Sequence, residues 1–263
     1  MTGLLHWINP LYTLSGFCVG ALVGMTGVGG GSLMTPILIL LFGVHPATAV
    51  GTDLLYASIT NAGGTLAHGL YRTIDWRIVS RLAAGSIPAT AITVLVLSHV
   101  DLYGESSRAL INAVLSGALL VTAVVLVLRR RLLATHSAYA GKLTPGRTAA
   151  FSVGVGAVLG VLVSISSVGA GAIGVTALLL LYPRLPMRRI VGSDIAHAVP
   201  LTLAGGIGHW MLGTIDWHLL VSLLTGSLPG IFIGGHFSIR MPDYALRLTL
   251  AGILIIVAVR LIL

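Results

Sequence analysis

The fold is decided by the 39-residue stretch from Val50 to Pro88, VGTDLLYASITNAGGTLAHGLYRTIDWRIVSRLAAGSIP, which recurs without a gap 141 positions later, from Val191 to Pro229. Fourteen of the 39 aligned pairs are identical. The identical residues are mostly polar residues, glycine, proline and tryptophan, so a shared preference for leucine and valine does not explain them. The chain is therefore an internal duplication. Two related halves in an apolar chain are typical of transporters whose site lies on the pseudo-symmetry axis.

The composition of the chain predicts a membrane protein. Apolar residues make up 56% of the sequence, charged residues only 8%, and the mean hydropathy is +1.01. A soluble domain carries about 25% charged residues because its surface faces water. The net charge of +8 therefore does not argue for nucleic acid as a partner. The single cysteine excludes an intrachain disulfide, and no signal peptide is expected because the first basic residue is Arg72.

Two of the apolar regions are interrupted. A helix needs about 20 apolar residues to cross the hydrocarbon core, and six segments reach that length. Four segments do not, and they form two pairs, Leu11–Gly24 with Leu33–Phe42 and Thr148–Val163 with Ile173–Tyr182. Each pair is one interrupted crossing or a re-entrant hairpin that returns to its own side of the membrane.

The distribution of positive charge favours hairpins. With the basic stretch Arg129–Arg147 in the cytoplasm, single crossings place nine Lys and Arg residues inside and six outside. Hairpins place thirteen inside and two outside, with the N-terminus outside. Each half then has three full crossings. Because three is an odd number, the second half enters the membrane from the opposite side and is inverted relative to the first. We predict an all-α polytopic membrane protein with two inverted repeats, each of one re-entrant broken-helix hairpin plus three transmembrane helices: residues 1–129, a basic cytoplasmic linker at 130–147, and residues 148–263.

The two breaks in the hairpins are candidate anion sites. Each is rich in glycine and serine, so its backbone N–H groups can approach a ligand closely. The second arm of each hairpin starts at the tip, and a helix N-terminus carries partial positive charge and free N–H donors. The alternative is that the glycines only permit tight helix packing, which applies strongly to the GxxxG spacings at Gly16 and Gly226. The predicted substrate-binding residues are Thr26, Gly29, Gly30, Gly31, Ser32, Ser164, Ser166, Ser167, Gly169 and Gly171.

A polar stripe runs along one face of each helix of the repeated stretch. Polar residues inside an apolar crossing normally face the bundle interior or an aqueous cavity, and charged ones there are functional by default. Asp53 and Asp194 are equivalent positions, and in the alternative interpretation they only stabilise the starts of their helices. For the histidines of the two stripes, two roles remain open: they form structural hydrogen bonds, or they carry protons. The predicted proton-coupling or pore-lining residues are Asp53, Asn61, His68, Asp194, His197, Thr202 and His209.

Several tracts resemble the TauE/SafE sulfite-exporter family. They are Gly27–Ser32 with Pro36, Ala49–Leu54, His68, Thr73–Trp76, Gly192–Asp194 and Gly226–Pro229. The resemblance covers nearly the whole chain and implies a carrier of the bacterial inner (cytoplasmic) membrane that exports sulfite, sulfoacetate or another organosulfonate. Two positions depart from the pattern: Ala170 and Ala172 make the second tip less glycine-rich, and Asn61 stands where a lysine is expected.

The sequence leaves several functions open. A secondary transporter, not an enzyme, is favoured because no catalytic signature and no ATP-binding motif is present. The alternatives are a passive anion channel, a non-transport membrane partner in sulfur or cofactor assembly, and a metal carrier. We expect a small anionic substrate and the lipid bilayer as partners, no nucleic acid, no cofactor and no bound metal, and we keep a homodimer open.

Overall fold

A computed structural model describes residues 9–26, 31–70, 72–136, 144–237 and 243–262 as a helical bundle, and these residues include no strand. Four of the helices are long and apolar enough to cross a membrane, by length and composition. The helices in the described residues are α1 (Pro10–Thr26), α2 (Gly31–Phe42), α3 (Pro46–Leu70), α4 (Trp76–Leu97), α5 (Glu105–His136), α6 (Pro145–Ser166), α7 (Ala172–Leu181), α8 (Met187–Met211), α9 (Trp217–Phe237) and α10 (Asp243–Ile262).

The first and fourth helices of each half pack against the other half. Helix α1 packs on α9, and α6 packs on α4, which is the equivalent pair with the halves exchanged. Both contacts are made through glycines. A Cβ atom on Gly20 would lie 2.5 Å from the Ser227 carbonyl oxygen, and one on Gly160 would lie 2.6 Å from that of Ser86. Ser86 and Ser227 are equivalent in the repeat, and Gly20 and Gly160, which lie 140 rather than 141 positions apart, occupy matching places on α1 and α6, so the two interfaces correspond. The helices approach this closely because these positions lack side chains.

The central pair of helices, α3 and α8, is formed by the repeated stretch itself. Leu54, near the start of α3, faces Gly205 near the end of α8. Ile195 faces Gly64 in the same way, and each of these residues is the repeat equivalent of a residue in the other contact. Since early residues of one helix meet late residues of the other, the two helices are antiparallel.

The loops that lead into α4 and α9 are fixed by matching hydrogen bonds. Asp75 caps α4 by accepting from the Arg77 N–H, and Asp216 accepts from the Leu219 N–H, so both aspartates cap the helix that follows them. The backbone N–H of Asp75 donates to Ser193 on α8, and that of Asp216 donates to Thr52 on α3. Ser193 and Thr52 are equivalent positions, so each half ties down the loop of the other.

Two helices are longer than the hydrophobic pattern predicts. Helix α5 continues to His136, into the stretch predicted as a linker, and Arg, Leu and Ala, which make up much of this extension, favour helix. Helix α6 has 22 residues and is one of the four candidate spans, whereas the sequence predicted a short segment there. Its extra first turn is polar: Thr144 caps it and Pro145 occupies the first helical position, a signal that hydropathy does not register.

The structure confirms the six predicted full crossings in part, when each helix is judged by its length and its apolar composition. Among the six segments, those that became α4, α5 and α8 satisfy the criterion. Within the described residues α9 contributes the shorter apolar stretch Trp217–Ile233, and α10 contributes Leu250–Leu261. Helix α3 spans 25 residues, but its polar stripe lowers its hydropathy.

Candidate functional site

The second break forms a buried turn between α6 and α7. Helix α6 ends at Ser166, and Ser167 follows in the left-handed conformation with φ 57°. Gly169 has φ 116°, which favours glycine because other residues rarely adopt it. Gly171 then precedes α7 without a side-chain cap on that helix. The turn therefore presents the N-terminal end of α7 inside the protein with backbone donors that no side chain of the cap position satisfies.

The three serines of this turn differ in what they can offer a ligand. The Ser164 hydroxyl donates to Gly160 O at 2.6 Å, and that of Ser166 donates to Leu162 O at 2.7 Å. The Ser166 oxygen also accepts from the Val168 N–H. The Ser167 hydroxyl oxygen is buried and forms no hydrogen bond of good geometry with the described residues. Ser167 is consequently the serine of this tip whose hydroxyl hydrogen is available.

Asp53 lies deep inside the protein, on α3. Its Oδ2 accepts two hydrogen bonds from Thr35 on α2, from the backbone N–H at 3.1 Å and from the hydroxyl at 2.5 Å. Its Oδ1 has no hydrogen-bond partner among the described residues, although Ser167 is near enough to interact with the carboxylate. Asp53 therefore lies between α2, through Thr35, and the turn that joins α6 to α7, through Ser167.

Asp194, the repeat equivalent of Asp53, occupies a different environment. Its carboxylate packs against Gly174 on α7, where a Cβ atom would overlap Asp194 Oδ1. Leu33 is the equivalent of Gly174 in the first half, so the two acids do not have matching neighbours. Neither helix has an acid in its first turn, and each aspartate lies two turns beyond the helix start. The interpretation of these acids as helix-start stabilisers is therefore wrong.

The rest of the polar stripe on α8 is also buried. His197 Nε2 lies 2.9 Å from the Ser86 hydroxyl, and His197 Nδ1 has no partner among the described residues. The equivalent residue on α3 is Tyr56, whose hydroxyl lies near Ser227 without a hydrogen bond of good geometry. The equivalent serines thus meet a histidine in one half and a tyrosine in the other.

His209 links α8 to the end of α6. Its Nε2 lies 2.9 Å from Ser164 O, and its Nδ1 lies 2.9 Å from the Thr214 hydroxyl. A carbonyl oxygen only accepts, so Nε2 carries a hydrogen. The Thr202 hydroxyl donates to Ala198 O of its own helix, and Asn61 on α3 is buried.

Several predicted residues belong to the first tip, of which the structure describes little. Gly31 begins α2. Gly29 and Gly30 lie outside the described residues, as do the side chains of Thr26, Ser32 and His68.

Sequence reasoning missed three contributors to this region: Thr35, Tyr56 and Thr52. Each has a polar counterpart 141 positions later in the sequence, and these counterparts are Thr176, His197 and Ser193 for Thr35, Tyr56 and Thr52, respectively. The spacing of residues within one helix does not indicate their roles, because the groups that they contact lie on other segments of the chain.

Several helices able to span a bilayer, a duplicated sequence and a buried polar centre define a multi-pass membrane transporter. Residues 12–261 match the family model described as "Sulfite exporter TauE/SafE", and the chain belongs to this family. It is 37% identical to the probable membrane transporter protein YjnA of Bacillus subtilis over 95% of this chain and 98% of that protein. It is 27% identical to the probable membrane transporter protein YdhB of the same organism over 88% and 91% of the two chains. A probable membrane transporter protein of Methanocaldococcus jannaschii, MJ0441, is 24% identical over 80% and 75%. No solved structure matches this chain significantly.

Proposed function

We propose that this protein exports a small anion, such as sulfite, sulfoacetate or another organosulfonate, by alternating access across the bacterial inner membrane. The two halves act as inverted repeats, each with one re-entrant hairpin and three transmembrane helices. The anion binds between the two hairpin tips. The observation that carries the proposal is the buried tip at Ser167–Gly171, where a helix starts inside the protein without a side-chain cap.

The antiparallel pairing of α3 and α8 supports inversion. If each broken pair crossed the membrane once, each half would have four crossings, and equivalent helices would run the same way. If each pair is a hairpin, each half has three crossings, and equivalent helices run in opposite directions. The contacts of Leu54 with Gly205 and of Ile195 with Gly64 fit the second arrangement. Inverted repeats allow alternating access because the halves can exchange conformations about a fixed central site.

The composition of the second tip supports an anionic substrate. Backbone N–H groups at the start of α7 and the hydroxyl of Ser167 are hydrogen-bond donors, and the helix dipole favours negative charge there. The family is described as one of sulfite exporters, and sulfite is a small oxyanion. The residues we assign to the anion site are Thr26, Gly29, Gly30, Gly31, Ser32, Ser164, Ser166, Ser167, Gly169 and Gly171. Among the three serines of the second tip, Ser167 supplies its hydroxyl hydrogen to the anion, because the hydroxyls of Ser164 and Ser166 already donate to Gly160 O and Leu162 O.

Coupling to protons is the second part of the proposal. A buried carboxylate is costly when ionised, which makes a buried aspartate on a central helix a candidate proton carrier. Asp53 and Asp194 are the carboxylates of the two central helices, and both are buried. The pathway or its lining comprises these two acids with Asn61, His68, His197, Thr202 and His209.

A passive anion channel is the second candidate function. Carrier and channel differ in counterflow: in vesicles loaded with unlabelled substrate, uptake of labelled substrate is accelerated by a carrier and not by a channel. A membrane role in sulfur or cofactor assembly predicts no flux at all.

A binding screen tests the proposed function directly. Purified protein is titrated with sulfite, sulfate, thiosulfate, sulfoacetate and acetate, and binding is measured by calorimetry. We expect a sulfur oxyanion or sulfonate to bind and acetate to bind more weakly. Flux of the best ligand is then measured in proteoliposomes with the counterflow protocol. Absence of binding and of flux for every anion would exclude the proposal.

A further inference from the structure

Asp53 and Ser167 each have one side-chain oxygen that forms no hydrogen bond of good geometry with the part of the chain that the structure describes. Asp53 Oδ2 is occupied by both donors of Thr35, so its Oδ1 is the oxygen left over. The Ser167 hydroxyl oxygen is likewise without such a bond, and it lies within interacting reach of the carboxylate. Both side chains are buried, at 0% and 3% exposure.

The two protonation states of Asp53 use this serine in opposite ways. A serine hydroxyl has one hydrogen to donate and can accept through two lone pairs. If Asp53 is ionised, its Oδ1 attracts the Ser167 hydrogen, which is then turned away from any ligand at the tip. If Asp53 is protonated on Oδ1, it donates to the Ser167 oxygen, and the Ser167 hydrogen is free to point elsewhere.

We propose that the anion and a proton bind together, with the proton on Asp53 Oδ1 and the anion accepting the hydroxyl hydrogen of Ser167. This inference rests on the proposed function, and it names Asp53 rather than Asp194 as the acid coupled to the substrate. Protonation has two effects in the same direction. It removes a negative charge next to the anion, and it releases the donor that the anion needs. Ionisation reverses both.

The surroundings of Asp53 provide no other group for this role among the described residues. Thr35 on α2 does not titrate. Tyr56 is the other titratable side chain near the carboxylate on α3 itself, and the Tyr56 hydroxyl in turn lies near Ser227 on α9. Helix α8 contributes Asp194, His197 and His209. His197 and His209 contact Ser86, Thr214 and the Ser164 carbonyl, and Asp194 packs on Gly174. Helix α5 carries Glu105 and Arg108 at its start, and α6 begins near Arg147, at the end of the helix remote from the tip.

The test is the pH dependence of anion binding by the full-length protein. Sulfoacetate is the probe, because its charge is constant between about pH 6 and pH 8, well above ordinary carboxyl pKa values. We expect its affinity to fall as pH rises, by up to about tenfold per pH unit for one linked proton. Calorimetry in two buffers of different ionisation enthalpy should show uptake of up to about one proton per bound anion.

Three variants locate the proton. Asp53→Asn keeps an amide donor toward Ser167, so it should bind sulfoacetate with no pH dependence and no proton uptake. Asp194→Asn should retain the wild-type slope. Ser167→Ala should bind the probe at least about fivefold more weakly across the range, which corresponds to the loss of one net hydrogen bond. Ser116→Ala on α5 is the matched control, because that buried hydroxyl also has no hydrogen-bond partner among the described residues and lies on another helix.

The outcomes separate the inference from the proposed function. Wild-type protein that binds sulfoacetate with pH-independent affinity and no proton uptake overturns the inference and leaves anion transport standing. The inference also fails if Asp194→Asn, and not Asp53→Asn, abolishes the pH dependence. Wild-type protein that binds none of the screened anions at any pH overturns the proposed function itself. The proton-uptake measurement uses the unaltered chain, so it decides the question even where a variant does not fold.

Discussion

Substitution of Gly160 by alanine tests the glycine contacts between the two halves. An alanine Cβ there would lie 2.6 Å from Ser86 O, 2.9 Å from the Cβ of Ala89 and 3.0 Å from the Cα of Ser86. Ordinary contacts begin at 3.4 Å, so α6 and α4 must separate by about 0.8 Å at this point. Two of the three obstructing atoms belong to the backbone and cannot rotate away.

The magnitude follows from two opposing effects. Overpacking of this size costs about 1–3 kcal/mol, whereas replacing a helical glycine by alanine gains about 1 kcal/mol. Gly154→Ala is the matched control on the same helix, because a Cβ there meets nothing within 4 Å and only the gain applies. The difference between the two variants is therefore the overpacking cost, about 1–3 kcal/mol. At about 2–4 °C per kcal/mol, Gly160→Ala should unfold roughly 2–12 °C below Gly154→Ala.

The assay is thermal unfolding in detergent, followed by intrinsic fluorescence and by the monodisperse fraction in size-exclusion chromatography. Gly20→Ala, the equivalent change at the α1–α9 interface, should lower the unfolding temperature by a similar amount. Equal unfolding temperatures for Gly160→Ala and Gly154→Ala would refute the close backbone approach on which the pairing of the halves depends.

Three further predictions concern topology, transport and pH. In intact cells an impermeant thiol reagent should label Thr2→Cys and not Ser137→Cys, because hairpins place the N-terminus outside and the basic linker inside; the reverse pattern would exclude the hairpins. Gly169→Val should abolish anion flux in proteoliposomes while the protein still purifies as a monodisperse species, because φ 116° does not suit a β-branched residue at the tip; normal flux would remove this turn from the site. Burial, with the positive charge of Arg108, lowers the pKa of His45 between α2 and α3. The folded state then disfavours the charged form, so stability should decrease as pH falls below about 6.5. His45→Gln should reduce the change in unfolding temperature between about pH 5 and pH 8. An unchanged dependence of the unfolding temperature on pH would assign it to another group.

The sequence by itself determined the class of fold and the relation between the halves. The low charge content required a surface that faces lipid, and the ungapped repeat of Val50–Pro88 required two equivalent sets of helices. The caps at Asp75 and Asp216 are visible in the sequence, because both aspartates lie just before apolar segments and the same local pattern recurs in both halves. Such features depend on residues within one turn of each other, and their physics is visible along the chain. The extension of α6 was missed because its first turn is polar and a cap, not hydropathy, specifies it.

Only the tertiary structure decided which helices meet. The repeat indicates that α1 and α6 are equivalent, but it does not indicate that each packs on the fourth helix of the other half, since glycine spacing marks a close contact without naming its partner. The same holds for Asp53. Its position on a polar stripe was apparent from the sequence, whereas its contacts with Thr35 and Ser167 arise from two other segments brought together by folding. The sequence also presents Asp53 and Asp194 as symmetric. Their neighbours differ because Leu33 and Gly174 differ at one equivalent position, and a single side chain is enough to change what a buried carboxylate touches.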